Sequence, residues 1–415
     1  MAVRPNLSAE TGSLRQPLTS PGAALLTLLA PHLPAIRNVA GEHDQAGSFP
    51  AEVFEALRKD GVLGATAPTE FGGLGVRSLH DVALALKTVA EADASTALAL
   101  HMQLSRGLTL GYEWQHGSPA ARSLAGRLLR LMGSGEAVVC TTVKDAQPGR
   151  TITRLTPAAA GEWLLTGQKM LASLAPVATH FVISARAETD GRPARQAAAM
   201  VARQTPGLTV LDNWDGLGMR ASGSVDVVLD GCRVPEADIF FRGPVGQQDD
   251  AALAGQTVSS ITMLGIYVGV AGAARDITLE LLGRRRTPPP GAVRTLIAEI
   301  DAQLFSVRAA AAAAIAEADR LAYADGGDPA ERGRRMMTPF QCAKLVVNRL
   351  TPQIVGDCLT IVGGASYTAT HPLARRFRDA RAGAFMHPYT YADAVDYLSS
   401  QALATGRDGR REDDR

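Results

Sequence analysis

Neither charge sign dominates this chain: 42 Lys and Arg stand against 41 Asp and Glu. That balance gives no electrostatic case for nucleic acid or an anionic membrane as a partner. Cysteine is scarce. Cys140, Cys232, Cys342 and Cys358 are far apart and form no C-x-x-C pair. Such spacing supports neither a disulfide framework nor a zinc site, so small buried thiols and no metal are expected. No basic segment followed by an apolar stretch opens the chain, which reads as no secretory signal and an expected cytoplasmic location. An uninterrupted membrane span is also missing. The run from Leu253 to Ala274 is apolar, but Gln256, Thr257, Ser259, Ser260 and Thr262 interrupt it, and a helix buried inside a bundle is the better expectation.

What is there is a globular composition, 46% hydrophobic and 20% charged, over 415 residues. That is enough for two or three packed sub-domains. Residues 1–21 carry Pro5, Pro17 and Pro21 among Ser, Thr and Gly, and read as a flexible arm. A helical domain is expected over 22–134. Within it Ser78 is placed to cap a helix whose core face is Val82, Leu86 and Val89, and an Ala/Leu-rich run from Ser95 to Gly107 contains His101. Between 135 and 246 the segments Ala137–Thr142, Trp163–Thr166, His180–Ser184 and Val225–Leu229 are short and bounded by turn residues, as in an antiparallel β-domain. Helical periodicity returns over 247–404 in Leu253–Leu282, Ala292–Tyr323 and Pro339–Val362. The connector after the first of these holds Pro288, Pro289 and Pro290, which cannot continue a helix. Residues 405–415 are almost wholly charged and read as a disordered tail.

Five separated segments, in order, resemble the acyl-CoA dehydrogenase superfamily. Pro68-Thr69-Glu70-Phe71-Gly72-Gly73-Leu74-Gly75 is similar to its P-x-x-[YF]-G-G-x-G loop, and Trp163 to Met170 to its W-x-[IL]-x-G-x-K-x strand and turn. Gly216 to Ser224, followed by Val234-Pro235, is close to its G-x-R-x-[ST]-x-[ST] segment. Gly363-Gly364 and Arg378-Asp379-Ala380-Arg381 match its C-terminal elements. The resemblance implies an α+β fold with an N-terminal helical domain, a central antiparallel β-barrel domain and a C-terminal four-helix bundle. It also implies a homo-oligomer, a tetramer or sometimes a dimer, with a flavin held between the β-domain and the bundle.

For that flavin the resemblance nominates the hydroxyls of Thr142 and Ser173 beside the ring, with Arg285, Arg286, Gly363 and Gly364 toward the far end of the cofactor. Taken singly, each hydroxyl reads as a solvated loop group, and the two arginines equally as a charge run capping a helix. Leu171 stands where an aromatic residue usually covers the ring, and Lys144 to Gly149 replaces the family's E-P-G-x-G-S-D loop. FAD is the family default, with FMN as the alternative.

Desaturation of an acyl thioester needs a carboxylate to take the Cα proton. Alignment puts Thr370 at one position the family uses and Thr262 near the other, so both are expected to line the substrate pocket without supplying a base. Phe385-Met386-His387-Pro388 resembles an F-H-P element of flavin monooxygenases such as the dibenzothiophene enzymes, where an imidazole near the flavin would manage activated oxygen. His387 and His101 are therefore the candidate catalytic residues, and His371 reads as structural. A reduced-flavin monooxygenase acting on a small aromatic or heteroatom compound, served by a flavin reductase, is the leading reading. The alternatives are an acyl-CoA or acyl-carrier-protein dehydrogenase with a relocated base, served by an electron-transfer flavoprotein, and a non-catalytic flavin-binding protein.

Overall fold

The computed structural model describes residues 14–146, 152–158, 161–189, 191–247 and 249–403. The expected tail at 405–415, most of the expected arm and part of the Lys144–Gly149 loop fall outside them. Six helices come first: α1 Ser20–Leu29, α2 Leu33–Ala46, α3 Ala51–Lys59, α4 Leu79–Ala92, α5 Ala94–His116 and α6 Pro119–Gly133. Ser78 caps α4 by accepting from Asp81 N, and Val82, Leu86 and Val89 are buried. Asp93 both ends α4 and caps α5, accepting from Thr96 N at 2.7 Å. Not all of the expected arm is free. Leu14 is fully buried, and Leu18 N and Thr19 N donate to Asp81.

The strands are β1 Val139–Thr142, β2 Arg154–Pro157, β3 Glu162–Ala172, β4 His180–Ala187, β5 Arg195–Ala202, β6 Leu208–Val210, β7 Val225–Pro235 and β8 Ile239–Pro244. They join in the order β6-β7-β3-β2-β4-β5-β8, with β1 added on β4. This corrects the antiparallel barrel in two respects. The hydrogen-bonded path ends at β6 and β8 without closing, and β1 and β2 both run parallel to β4. Side-chain alternation reports which face is buried but not strand direction, so the parallel pairings leave no mark in the sequence pattern.

The C-terminal helices are α7 Ala252–Ser260, α8 Leu264–Gly283, α9 Gly291–Ala322, α10 Pro329–Val362, α11 Pro372–Ala380 and α12 Tyr391–Leu403. Helix α10 begins ten residues earlier than Pro339 suggests: Asp328 caps it and Pro339 sits inside it. The apolar stretch 252–283 is 94% buried over its most hydrophobic window, as a central bundle helix should be. Its close approach to α4 depends on Gly265 and Gly269, one turn apart, where a Cβ would collide with the Ala83 and Lys87 carbonyls. One apolar core therefore runs through both helical regions, a second fills the sheet, and a third joins α5 and α6 to β1, β4 and β8. That leaves the β-domain seated against α5 and the C-terminal loops.

Candidate active site

Helix α5 forms the wall shared by sheet and bundle. On one side, Gln103 donates to Leu63 O and Ala137 O and accepts from Val139 N at 2.7 Å, fixing the start of β1. Arg106 donates from Nε and Nη2 to Thr141 Oγ1 at 2.9 and 2.6 Å. Burial lowers the Arg106 pKa to about 10, and the Glu113 charge opposes the shift. Beside it, at the end of β1, Thr142 is 1% exposed and its Oγ1 has no hydrogen-bond partner. A buried hydroxyl without a partner costs stability unless a ligand completes it, so Thr142 fits the edge of a bound flavin ring.

Ser173 is engaged differently. Its Oγ contacts Ser224 Oγ at 2.7 Å, which contacts Ser222 Oγ at 2.6 Å. The chain ties the turn after β3 to the Gly216–Ser224 segment. Just before that turn, at the end of β3, Leu171 has φ 59° and is 42% exposed, so an aliphatic side chain projects where an aromatic cover is expected. The lysine of the W-x-L-x-G-x-K motif, Lys169, is 2% exposed and donates to Val143 O and Asp145 Oδ1 at 3.0 and 2.8 Å, anchoring the loop that follows Thr142.

The other side of α5 presents His101. Its Nδ1 lies 3.2 Å from Thr262 Oγ1, and both residues are buried. Burial lowers the His101 pKa to about 4, so the ring is neutral at physiological pH. His387 sits on an exposed loop between α11 and α12. The surrounding protein lowers its pKa, and the charges of Lys344 and of Lys144, the latter on the β-domain loop, act in the same direction. Lys344, 2% exposed on α10, donates Nζ to Met386 O and Tyr389 O and so pins the loop from both sides of His387. Burial lowers its pKa to about 8. Sequence reading missed Arg106 and Lys344 because neither lies in a motif.

The remaining nominated residues do not join this group. Arg285 donates to Val362 O at 3.4 Å, beside Gly363, whose φ of 84° suits only glycine. Arg285, Gly363 and Gly364 thus meet at the exposed end of α10, and Arg286 follows on the same exposed connector. Thr370 is set apart from the other residues expected to line the substrate pocket. It lines a cavity of about 580 Å³ between α2, α4, α8 and α11, which none of Thr142, Ser173, His101, Thr262 or His387 lines. The α8 residues of that cavity begin at Ala273, three turns beyond Thr262, so the two threonines belong to different places.

The Gly216–Ser224 motif explains how the parts are held. Met219 N donates to Asp379 Oδ1 of the R-D-A-R element at 2.6 Å, Arg220 Nε to Asp44 O at 2.7 Å, and Ala221 N to Ser95 Oγ at 3.4 Å. Asp44 also binds Arg378. One segment therefore staples β-domain, N-terminal helices and C-terminal helices together.

Comparison with known proteins agrees with this architecture. Three family models match: the acyl-CoA dehydrogenase N-terminal domain over residues 34–128, the middle domain over 134–232 and the C-terminal domain over 261–389. The amino sugar nitrososynthase RubN8 of Streptomyces rubradiris is 58% identical over 404 residues, covering 97% of this chain and 95% of its own. The structure of KijD3 in complex with FMN and dTDP-3-amino-2,3,6-trideoxy-4-keto-3-methyl-D-glucose is 60% identical with a TM-score of 0.93, covering 97% of this chain and 98% of that one. The nitrososynthase from Micromonospora carbonacea var. africana is 55% identical with a TM-score of 0.92, covering 95% and 100%. The FMN- and indole-bound dibenzothiophene monooxygenase TdsC of Paenibacillus sp. A11-2 shares the fold at 21% identity and a TM-score of 0.80.

Proposed function

This chain belongs to the acyl-CoA dehydrogenase family, and from that premise we propose that it is an FMN-dependent N-oxygenase acting on a nucleotide-linked amino sugar. At the coarser level it is a flavin-dependent oxidoreductase of the monooxygenase type. The finer reading is supported by identities of 55 to 60% to proteins named as amino sugar nitrososynthases or solved with FMN and a dTDP-amino sugar. The geometric observation that carries it is the His101–Thr262 pair. Where some relatives place a catalytic carboxylate, a threonine contacts a neutral imidazole.

Reduced FMN would supply the two electrons that split dioxygen, one oxygen atom going to the substrate nitrogen and the other to water. The protein's share of the work follows from the wall described above. Thr142 Oγ1 and the turn after β3 would hold the ring edge. An amine attacks only through its free lone pair, so a site that leaves it unprotonated favours the reaction. The neutral His101 and the pKa-lowered His387 can each accept the proton the nitrogen gives up. Arg106 places a half-buried cation beside β1 that suits an anionic portion of cofactor or substrate.

The test is to incubate the FMN-loaded protein with a reductant, isotopically labelled dioxygen and a dTDP-linked amino sugar. Label on the sugar nitrogen is expected. An unmodified sugar, together with anaerobic bleaching of the flavin by an acyl-CoA, would overturn the reading in favour of dehydrogenation.

A further inference from the structure

The cavity at Thr370 has a charge pattern of its own. Four carboxylates line it, and each has a cation: Asp44 with Arg378, Glu91 with Lys87, Asp276 with Arg275, and Glu280 with Arg284. Its arginines are not matched in the same way. Among the described residues, Arg37 and Arg375 form no ion pair and no side-chain hydrogen bond. Arg376, 4% exposed, spends its two terminal nitrogens on Ala90 O and Glu91 O at the end of α4, and its buried Nε has no partner.

Arg37 and Gly41 lie four residues apart on one face of α2, and the Arg375 Nη1 passes 3.8 Å from where a Cβ on Gly41 would stand. The missing side chain leaves room beside the Arg375 guanidinium. Thr370 adds a hydroxyl to the same wall, and about 580 Å³ is within the range of small-molecule sites. Two guanidiniums without an ion-pair partner on one concave, hydroxyl-bearing wall suit a phosphate group, which can accept bidentate donation from each.

We propose that the cavity between α2, α8 and α11 is a second ligand site, separate from the flavin site, that binds the phosphate of a small phosphate ester through Arg37, Arg375 and Thr370. This inference does not rest on the reading of the active site.

The test is calorimetric titration of the FMN-saturated full-length protein with inorganic pyrophosphate, and in parallel with a nucleoside diphosphate, at two salt concentrations. Saturation with FMN keeps the flavin site filled. Saturable pyrophosphate binding that weakens at the higher salt is expected, because the contact is ionic. The double variant R37Q/R375Q should bind at least ten-fold more weakly while keeping the wild-type melting temperature and FMN affinity. A control, R285Q/R286Q, should bind pyrophosphate as the wild type does. Equal affinity for both ligands would assign the phosphate alone, and tighter binding of the nucleoside diphosphate to the wild type than to R37Q/R375Q would assign the whole nucleotide. No binding to the wild type, or undiminished binding to R37Q/R375Q, would overturn the proposal. Should R37Q/R375Q be poorly folded, Thr370→Val provides the same comparison with a smaller expected loss.

Discussion

Two regions of this molecule differ in kind. On the sheet side of α5 stand hydroxyls and the half-buried Arg106 guanidinium, and on its bundle side a neutral imidazole. Around Thr370 the wall is built of arginines and carboxylates. The partition between them includes Asp379, which accepts from Met219 N on the stapling segment and lies one helical turn beyond Arg375 and close to Arg376. Burial decides what each region can do. In the first, low polarizability keeps an imidazole uncharged and leaves a hydroxyl seeking a ligand. In the second, solvent lets charges persist, and those not paired internally are left for an anion. Alignment with the family assigns Thr262 and Thr370 to one pocket, whereas the cavity that Thr370 lines meets α8 three turns beyond Thr262.

The largest effect that could break this comparison lies in the partition. Burial, with the Asp93 charge, raises the Asp379 pKa to about 7 from 3.8. A carboxyl with a raised folded-state pKa is fully compatible with the fold below 3.8, and its contribution is lost as pH rises through 7. That amounts to about 4 kcal/mol across the window. Asp379→Asn should remove this slope in denaturant titrations at stepped pH. An unchanged slope would show that the partition is wetter than its burial implies.

The next effect has the opposite sign. His101 has its pKa lowered by burial to about 4 from 6.5, so the unfolded chain binds a proton in that window and the folded chain does not. Stability should fall by about 3 kcal/mol as pH drops from 6.5 to 4. In His101→Gln that fall should vanish, and the rate of oxygen transfer to the amine should drop as well. Retention of the acid sensitivity would mean that the first region does not hold a neutral ring.

A smaller change sharpens the account of the flavin slot. Thr142→Val keeps the shape and deletes the unpartnered hydroxyl, so FMN affinity should fall about 3- to 10-fold, the worth of one hydrogen bond. Fluorescence quenching of free FMN on titration reads this directly. Ser173→Ala should weaken FMN less, because its hydroxyl is already engaged with Ser224. Smallest of all is the expected effect of R285Q/R286Q, less than about 2-fold on FMN affinity, since both residues lie on the exposed connector. A large loss there would extend the cofactor to the end of α10 and favour FAD.

Much of the architecture is readable from the residues. The capped α4, the buried α8 and the proline-marked connector all follow from local chemistry. The five motifs then locate the family because several of them hold its parts in place, Met219 and Arg220 across domains and Lys169 within the sheet. Strand direction and the opening of the sheet are not readable, since alternation is the same for both directions. Nor is the company each site residue keeps. His101 finds Thr262 across 161 positions, and Lys344 finds the His387 loop across more than forty. Thr370, seven positions after Gly363, is likewise not placed by the motif: it lines the arginine-bearing cavity with α2 and α8.

The most direct measurement is a crystal structure of this protein with FMN and a dTDP-linked amino sugar. The account predicts the isoalloxazine edge within hydrogen-bond distance of Thr142 Oγ1 and the sugar nitrogen facing the imidazole of His101 or His387. Flavin or sugar amine lodged instead in the arginine-lined cavity at Thr370, or an Asp or Glu carboxylate standing over the reacting carbon, would contradict it.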